Sequence, residues 1–118
     1  MATIAPTTDK TIQTVYGMAY LTVWPLGDND DGVPTPRAIS SDRSVQVEGT
    51  FAGASVVIEG SNDGGAHYHT LTDPLGNALS FTSAAIKQVQ EVVQLLRPRS
   101  SGGSGAALVI SLVATGGA

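Results

Sequence analysis

Two histidines separated by one residue are the clearest candidates for metal chemistry in this sequence. His67 and His69 fall in a stretch expected to be extended, where side chains two positions apart point to the same face. Imidazole binds transition metals, but a protein site needs at least three ligands, so a carboxylate would have to join the pair. We predict exposed histidines and no metal site. The alternatives are a metal site completed by a carboxylate and a pH-sensitive contact at a subunit interface.

An acidic run at residues 28–32, Asp-Asn-Asp-Asp-Gly, suggests calcium binding. The EF-hand loop needs oxygen ligands at its positions 1, 3 and 5, glycine at 6 and glutamate at 12. With Asp28 at position 1, Gly32 falls at position 5 and Pro34 at position 7, so the pattern fails. A solvated turn is expected, with an irregular calcium loop as the alternative.

Catalytic arrangements are not evident in the sequence. Serines and threonines are frequent, but there are only two histidines and no strand-to-helix elbow that would present an activated serine. The paired glycines lack the Lys-Ser/Thr of a phosphate loop. Glu48, Glu59 and Glu91 fall on predicted polar faces rather than in a cleft, as glycoside hydrolysis would require. We predict that the protein is not an enzyme and has no cofactor.

The aromatic residues near the N-terminus share one face of a predicted strand. Tyr16, Tyr20 and Trp24 have the same parity, together with Met18 and Thr22. Such a stripe most often packs in a core or between subunits, and stacking on a ligand is the alternative.

The composition favours β-structure. The chain has 118 residues, 42% hydrophobic and 14% charged, with 14 glycines, 6 prolines and no cysteine. This balance is typical of one folded domain, and the glycines, prolines, valines and threonines disfavour helices. Six basic against ten acidic residues give a net charge of -4, which argues against nucleic acid as a partner. The longest apolar run, residues 106–110, is too short to span a bilayer, so no membrane is expected.

Alternating patterns define the expected strands. Val45 and Val47 lie on one face of a half-buried strand, residues 54–60 form the next, and residues 107–114 form the closing strand. Residues 83–88 are expected to form a turn or helical stub before a strand at 91–97, and the glycine-rich stretch 99–105 a flexible loop. Seven or eight short strands predict an all-β fold, an antiparallel β-sandwich or jelly-roll-like barrel. Residues 1–10 are expected to be an N-terminal arm, residues 11–118 the single domain, and residues 27–37 an exposed loop.

Three segments resemble small virion structural proteins of tailed bacteriophages. They are RSVQVEGTF at 43–51, VVIEGSNDG at 56–64 and LTDPLGNALSF at 71–81, and the likeness, closest to capsid decoration (cement) proteins, covers roughly residues 42–113. The hairpin at 60–64 indicates a phage structural protein more specifically than it indicates a decoration role. His67-Tyr68-His69 departs from similar hairpins, which more often carry tryptophan, and this weakens the transfer of a stacking function.

The resemblance implies a structural role without chemistry. It implies a homo-oligomer, a trimer in preference to a dimer, on the outer surface of the virion, bound across subunits of the major capsid protein. The arm and the loop at 27–37 would reach neighbouring subunits. The candidate interface residues lie in the arm, the aromatic stripe and this loop: Ile4, Pro6, Tyr16, Tyr20, Trp24, Asp30, Pro34, Pro36 and Arg37.

Two alternatives remain open at this point. One is a glycan-binding module of the head or tail, with Trp24 and Tyr68 forming the groove. The other is a structural component of the neck or tail, which the sequence does not separate from a head protein.

Overall fold

Two β-sheets form a sandwich in a computed structural model that describes residues 2–15, 17–36 and 42–115. The strands of this part of the chain are β1 (Ala2–Ile4), β2 (Thr8–Thr14), β3 (Gly17–Leu26), β4 (Asp30–Gly32), β5 (Asp42–Thr50), β6 (Ser55–Ser61), β7 (His69–Thr70), β8 (Ser80–Phe81), β9 (Ala85–Gln88), β10 (Leu95–Ser101) and β11 (Ala107–Thr115). Sheet A has the order β1-β4-β10-β6-β7, with β8 also paired to β6. Sheet B has the order β2-β3-β11-β5-β9. All pairs are antiparallel except β1 with β4, so the predicted all-β sandwich is confirmed.

The alternation seen in the sequence places the core. Val45 and Val47 of β5 point inward, as do Leu108, Ile110 and Leu112 of β11. Residues directly opposite each other on neighbouring strands share a face of the sheet. Ile110 accordingly lies between Trp24 and Val47, and all three point into the core. The core therefore forms where the inner faces of the two sheets meet.

Trp24 lies within this core with none of its surface exposed. Its indole nitrogen donates a hydrogen bond to the carbonyl of Val33 at 2.9 Å, which satisfies the polar end of the ring. Gly32 leaves room for the ring, since a Cβ there would lie 2.7 Å from Trp24 Cδ1 and 2.8 Å from Pro98 Cδ. The segment around β4 thus closes over the tryptophan.

The residues predicted to form a free N-terminal arm belong to the sheets. Residues 2–4 form β1 and pair with β4, and residues 8–10 begin β2, which pairs with β3. Ile4 packs against the core, and its carbonyl accepts a hydrogen bond from Val33. A three-residue strand is too short to show a period, so the sequence did not reveal this pairing.

The segment predicted as an exposed loop also enters sheet A. Asp30–Gly32 form β4, between β1 and β10, and Asp31 and Thr35 are buried. The acidic turn before β4 is held in place, since the Asp28 carboxylate accepts hydrogen bonds from the amides of Gly105 and Ala106. β10 extends to Ser101, so part of the predicted glycine-rich loop is strand, and the rest is fixed by this turn.

The predicted turn or helical stub at residues 83–88 is wrong. Residues 85–88 form β9, an edge strand paired with β5. After it the chain runs without regular structure to β10, and Arg43 donates hydrogen bonds to the carbonyls of Val89, Gln90 and Glu91. This buried guanidinium satisfies backbone groups that a strand or helix would otherwise pair, which the sequence pattern does not disclose.

Among the residues that the structure describes, no helix is long and apolar enough to cross a membrane.

Candidate interaction surfaces

The outer face of sheet B carries a stripe of apolar side chains that point away from the core. Leu21 lies opposite Val113, and Pro25 lies opposite Val109, in the register of β3 and β11. Their neighbours in sequence, such as Trp24 and Leu112, point inward, so these four side chains must lie on the outer face. We call this surface the outer B face; it comprises Ile12, Leu21, Val23, Pro25, Val109 and Val113 with the flanking outward residues of β2, β5 and β9.

Charged groups flank this apolar stripe. Lys10 of β2 lies opposite Leu21, and Glu48 of β5 lies opposite Val109, so both project on the outer B face. The Gln46 amide donates a hydrogen bond to Glu48 at 3.1 Å on the same face. Asp42 lies on this face at the other end of β5. The face therefore has a basic side along β2 and an acidic side along β5.

The hairpin of β2 and β3 forms a second exposed surface. Val15 at its turn is 92% exposed, and Met18 and Tyr20 are also exposed. Tyr20 and Met18 have the inward parity of Trp24, but the core does not cover them. The hydroxyl of Thr14 donates to the carbonyl of Gly17 at 2.7 Å and closes the turn. This tip presents apolar side chains on a hydrogen-bonded turn.

A network of ion pairs lies on the outer face of sheet A. Arg97 lies at 3.1 Å from both Asp31 Oδ2 and Glu59 Oε1, and Arg99 Nε lies 3.3 Å from Glu59 Oε2. Glu59 lies on the polar outer face, as predicted, but the arginines leave both Asp31 and Glu59 buried. Tyr68 stacks on the Arg97 guanidinium, 3.8 Å from its carbon to the ring centre. The network ties β4, β6 and β10 together.

A groove of about 420 Å³ at the edge of sheet A contains the two histidines and Asp63. His67 Nδ1 lies 2.7 Å from Asp63 Oδ2, and Asp63 Oδ1 accepts hydrogen bonds from the Ser61 hydroxyl and the His67 amide. The hydroxyl of Ser61 and the ring of His67 lower the pKa of Asp63 well below its ordinary value. Ser61 donates to the carboxylate and not to the histidine, so this arrangement is a turn-stabilising cluster and not a nucleophile with its base.

Metal ligands do not gather in the described part of the chain. Among residues 2–15, 17–36 and 42–115, no three histidine, aspartate or glutamate side chains come together in a way that could hold a metal ion. In the acidic run, Asp28 binds backbone amides and Asp30 accepts a hydrogen bond from the amide of Gly27 at 2.7 Å. These carboxylates serve the turn that joins β3 to β4.

The structure distributes the predicted interface residues over different environments. Trp24 is buried, so it cannot contribute to an interface or a glycan groove on this fold, and that expectation is wrong. Ile4 packs on the core, and Asp30 is the first residue of β4, where its carboxylate accepts a hydrogen bond from the amide of Gly27. The others with surface exposure are Pro6, Tyr20, Pro34 and Pro36, whereas Tyr16 and Arg37 lie outside the described residues.

Sequence reasoning missed the outer B face and the ion pairs of sheet A. The signal for the first was present, because β3 and β11 carry apolar residues at both parities, as in Leu21-Thr22-Val23 and Leu112-Val113. The second has no local signal, since Asp31, Glu59 and Arg97 come from three distant strands.

Comparison with known proteins gives a fold and no family. No protein-family model and no curated protein matches the chain. The solved structure of the protein YomS, derived from the SPBc2 prophage, is similar with a TM-score of 0.63 and 10% identity, over 90% of this chain and 100% of that one. The Drosophila melanogaster CENP-C cupin domain (TM-score 0.42, 4% identity, 90% and 70% coverage) and a Bordetella pertussis cupin domain (TM-score 0.40, 11% identity, 98% and 98% coverage) are less similar. The chain thus shares the fold of a prophage-derived protein.

Proposed function

We propose that this chain is a structural protein of a tailed-phage virion, a decoration protein that binds as a homo-oligomer across subunits of the major capsid protein on the outer surface of the head. The observation that carries the proposal is the fold shared with a prophage-derived protein along that protein's entire length. The likeness of residues 42–113 to decoration proteins supports the same assignment.

The use of the polar side chains supports a structural role. Asp28 holds the turn at Gly105, Asp63 holds the turn before β7, and Glu91 accepts hydrogen bonds from Thr72. Asp31 and Glu59 are engaged with Arg97. These groups stabilise turns and strand pairs, as a module that withstands stress within a particle requires.

Two surfaces are available for contacts with the shell. The hairpin tip presents Val15 and Met18, and the turn after β4 presents Pro34 and Pro36. Exposed apolar side chains on ordered turns favour binding because little conformational entropy is lost. In this proposal the hairpin tip takes the role expected of the N-terminal arm, and Pro34 and Pro36 belong to the loop at residues 27–37, which was also expected to reach neighbouring subunits.

Reassembly of particles tests the proposal. Capsids produced without the chain are mixed with increasing amounts of the purified protein, and the bound fraction is measured after sedimentation. We expect saturation at a fixed number of copies per capsid and a higher temperature of capsid disruption. The variant Val15→Asp/Met18→Asp should bind more weakly, whereas Leu75→Asp, at an equally exposed apolar residue elsewhere, should bind like the parent. Failure of the purified protein to bind capsids would contradict the decoration role.

A further inference from the structure

We propose that the outer B face is the surface through which two copies of this chain pair about a two-fold axis. The inference deepens the proposed function and rests on its homo-oligomer component, because it names the surface and the symmetry of self-association. A two-fold contact uses the same patch on both copies, so the patch must be complementary to itself.

Apolar side chains run through the middle of the face, between its two charged sides. Leu21, Val23 and Val113 are half-buried, and Val109 is 42% exposed, all on adjacent strands. Four strands about 4.8 Å apart, each with four outward side chains about 6.8 Å apart, cover roughly 500 Å² per copy. Two copies would bury about 1,000 Å², the lower limit for a specific interface.

The charges specify how the copies are oriented. Lys10 is on β2 and Glu48 is on β5, three strands away in sheet B. Lys10 lies level with Val113 of β11, through Leu21, and Glu48 lies level with Val109. The two side chains are therefore four residues apart along the strand direction. The two offsets are nearly equal, about 14 Å across the strands and about 13 Å along them. Lys10 and Glu48 therefore occupy opposite corners of an approximately square patch.

A two-fold axis that lies in the face and perpendicular to this diagonal superimposes the two corners. It places Lys10 of each copy against Glu48 of the partner subunit, which forms two ion pairs. The same operation places Asp42 against Gln88 of the partner subunit, so the Asp42 carboxylates of the two copies do not face each other. The strands of the two sheets then cross at close to 90°, one of the two preferred angles for packed sheets. The apolar stripes of the two copies therefore cross as well, and they meet around Val23.

This symmetry differs from the trimer that the resemblance to decoration proteins implies. A two-fold contact produces dimers or assemblies with an even number of copies, in which each protomer contributes its outer B face once.

Charge reversal tests the proposed orientation. In sedimentation equilibrium on the full chain at micromolar concentrations, the parent protein should be a dimer. Lys10→Glu and Glu48→Lys should each weaken the dimer about tenfold or more, because both ion pairs become repulsive. The double variant K10E/E48K should restore the parent affinity, since the opposite charges again face each other. Restoration cannot result from a general loss of folding.

A second pair of variants tests the face itself. Val109→Arg places a charge in the apolar stripe and should give monomers. Val92→Arg is the matched control, because Val92 is 53% exposed and lies outside sheet B. A monomeric parent protein, a dimer unaffected by Val109→Arg, or a double charge reversal that fails to restore dimers would overturn the inference. Since capsid binding is measured separately, a protein that binds capsids as a monomer would overturn this inference and leave the decoration role standing.

Discussion

The guanidinium of Arg97 lies between the Tyr68 ring and two buried carboxylates. Its carbon is 3.8 Å from the ring centre, and its nitrogens are 3.1 Å from Asp31 and from Glu59. Planar, delocalised and always charged, an arginine can stack and donate to two acids at once, which a lysine cannot. One side chain thus joins β4 and β6 to β10 on the outer face of sheet A.

Removal of this arginine should destabilise the fold strongly. Arg97→Leu leaves Asp31 and Glu59 buried with less compensation, and we expect a loss of about 3 kcal/mol in the free energy of unfolding. Tyr68→Leu removes only the stacking partner and should cost about 1 kcal/mol. Urea unfolding of both variants measures the difference. Equal, small effects would show that the network contributes little to stability.

Gly32 should tolerate no side chain, for a reason of space. A Cβ at this position would overlap the Trp24 ring and Pro98, so Gly32→Ala should cost about 3 kcal/mol and shift the Trp24 fluorescence to the red. Gly53 is the contrasting position, with open space but a φ of +85°. Gly53→Ala should cost about 1 kcal/mol through backbone strain alone and leave the fluorescence unchanged. A Gly32→Ala protein with parental stability and emission would contradict the packing of β4 on Trp24.

Acid should destabilise the protein through Glu91 among other carboxyl groups. Burial raises the pKa of Glu91, but hydrogen bonds from the hydroxyl and amide of Thr72 outweigh it and leave the pKa below its ordinary value. A carboxyl whose pKa is lower in the folded state stabilises the fold above its unfolded pKa of about 4.3, and this stabilisation is lost as the pH falls through the folded pKa. Glu91→Gln should therefore show a shallower loss of stability than the parent between pH 5 and pH 3, measured by urea unfolding. Identical slopes for the two proteins would argue against these hydrogen bonds.

The two histidines should be dispensable for folding. His67 is exposed and contacts Asp63 at the surface, so His67→Ala/His69→Ala should change the stability by less than about 1 kcal/mol near neutral pH. Titration calorimetry with Zn²⁺ should give no stoichiometric binding by the parent. Binding of one zinc ion per chain that disappears in the double variant would show that the histidines form a metal site.

Deletion of residues 2–10 should affect the fold itself. From the sequence, residues 1–10 were expected to form an N-terminal arm, but residues 2–10 include β1, which covers the edge of β4, and the start of β2. Loss of Ile4 and of these strand pairs should lower stability by about 2 kcal/mol, or the thermal midpoint by roughly 5–10 °C. A deletion variant with the parental midpoint would restore the interpretation of a free arm.

The sequence predicted the elements that depend on local alternation. Val45 and Val47, and Leu108, Ile110 and Leu112, point inward as their spacing indicates. It did not predict elements whose partners are distant. β4 is a three-residue strand within a run of turn-forming residues and is paired only because β1 and β10 lie beside it. The exposure of Tyr20 and the burial of Trp24, which share one parity on β3, depend on how far sheet A extends, and no local pattern encodes that distance.

The copy number of the chain in purified particles tests the central claim most directly. Quantitative mass spectrometry of particles from the encoding phage gives the ratio of this chain to the major capsid protein. A decoration protein distributed over the shell predicts a ratio approaching parity. A few copies per particle would assign the chain to the neck or tail, and its absence from particles would contradict a virion role.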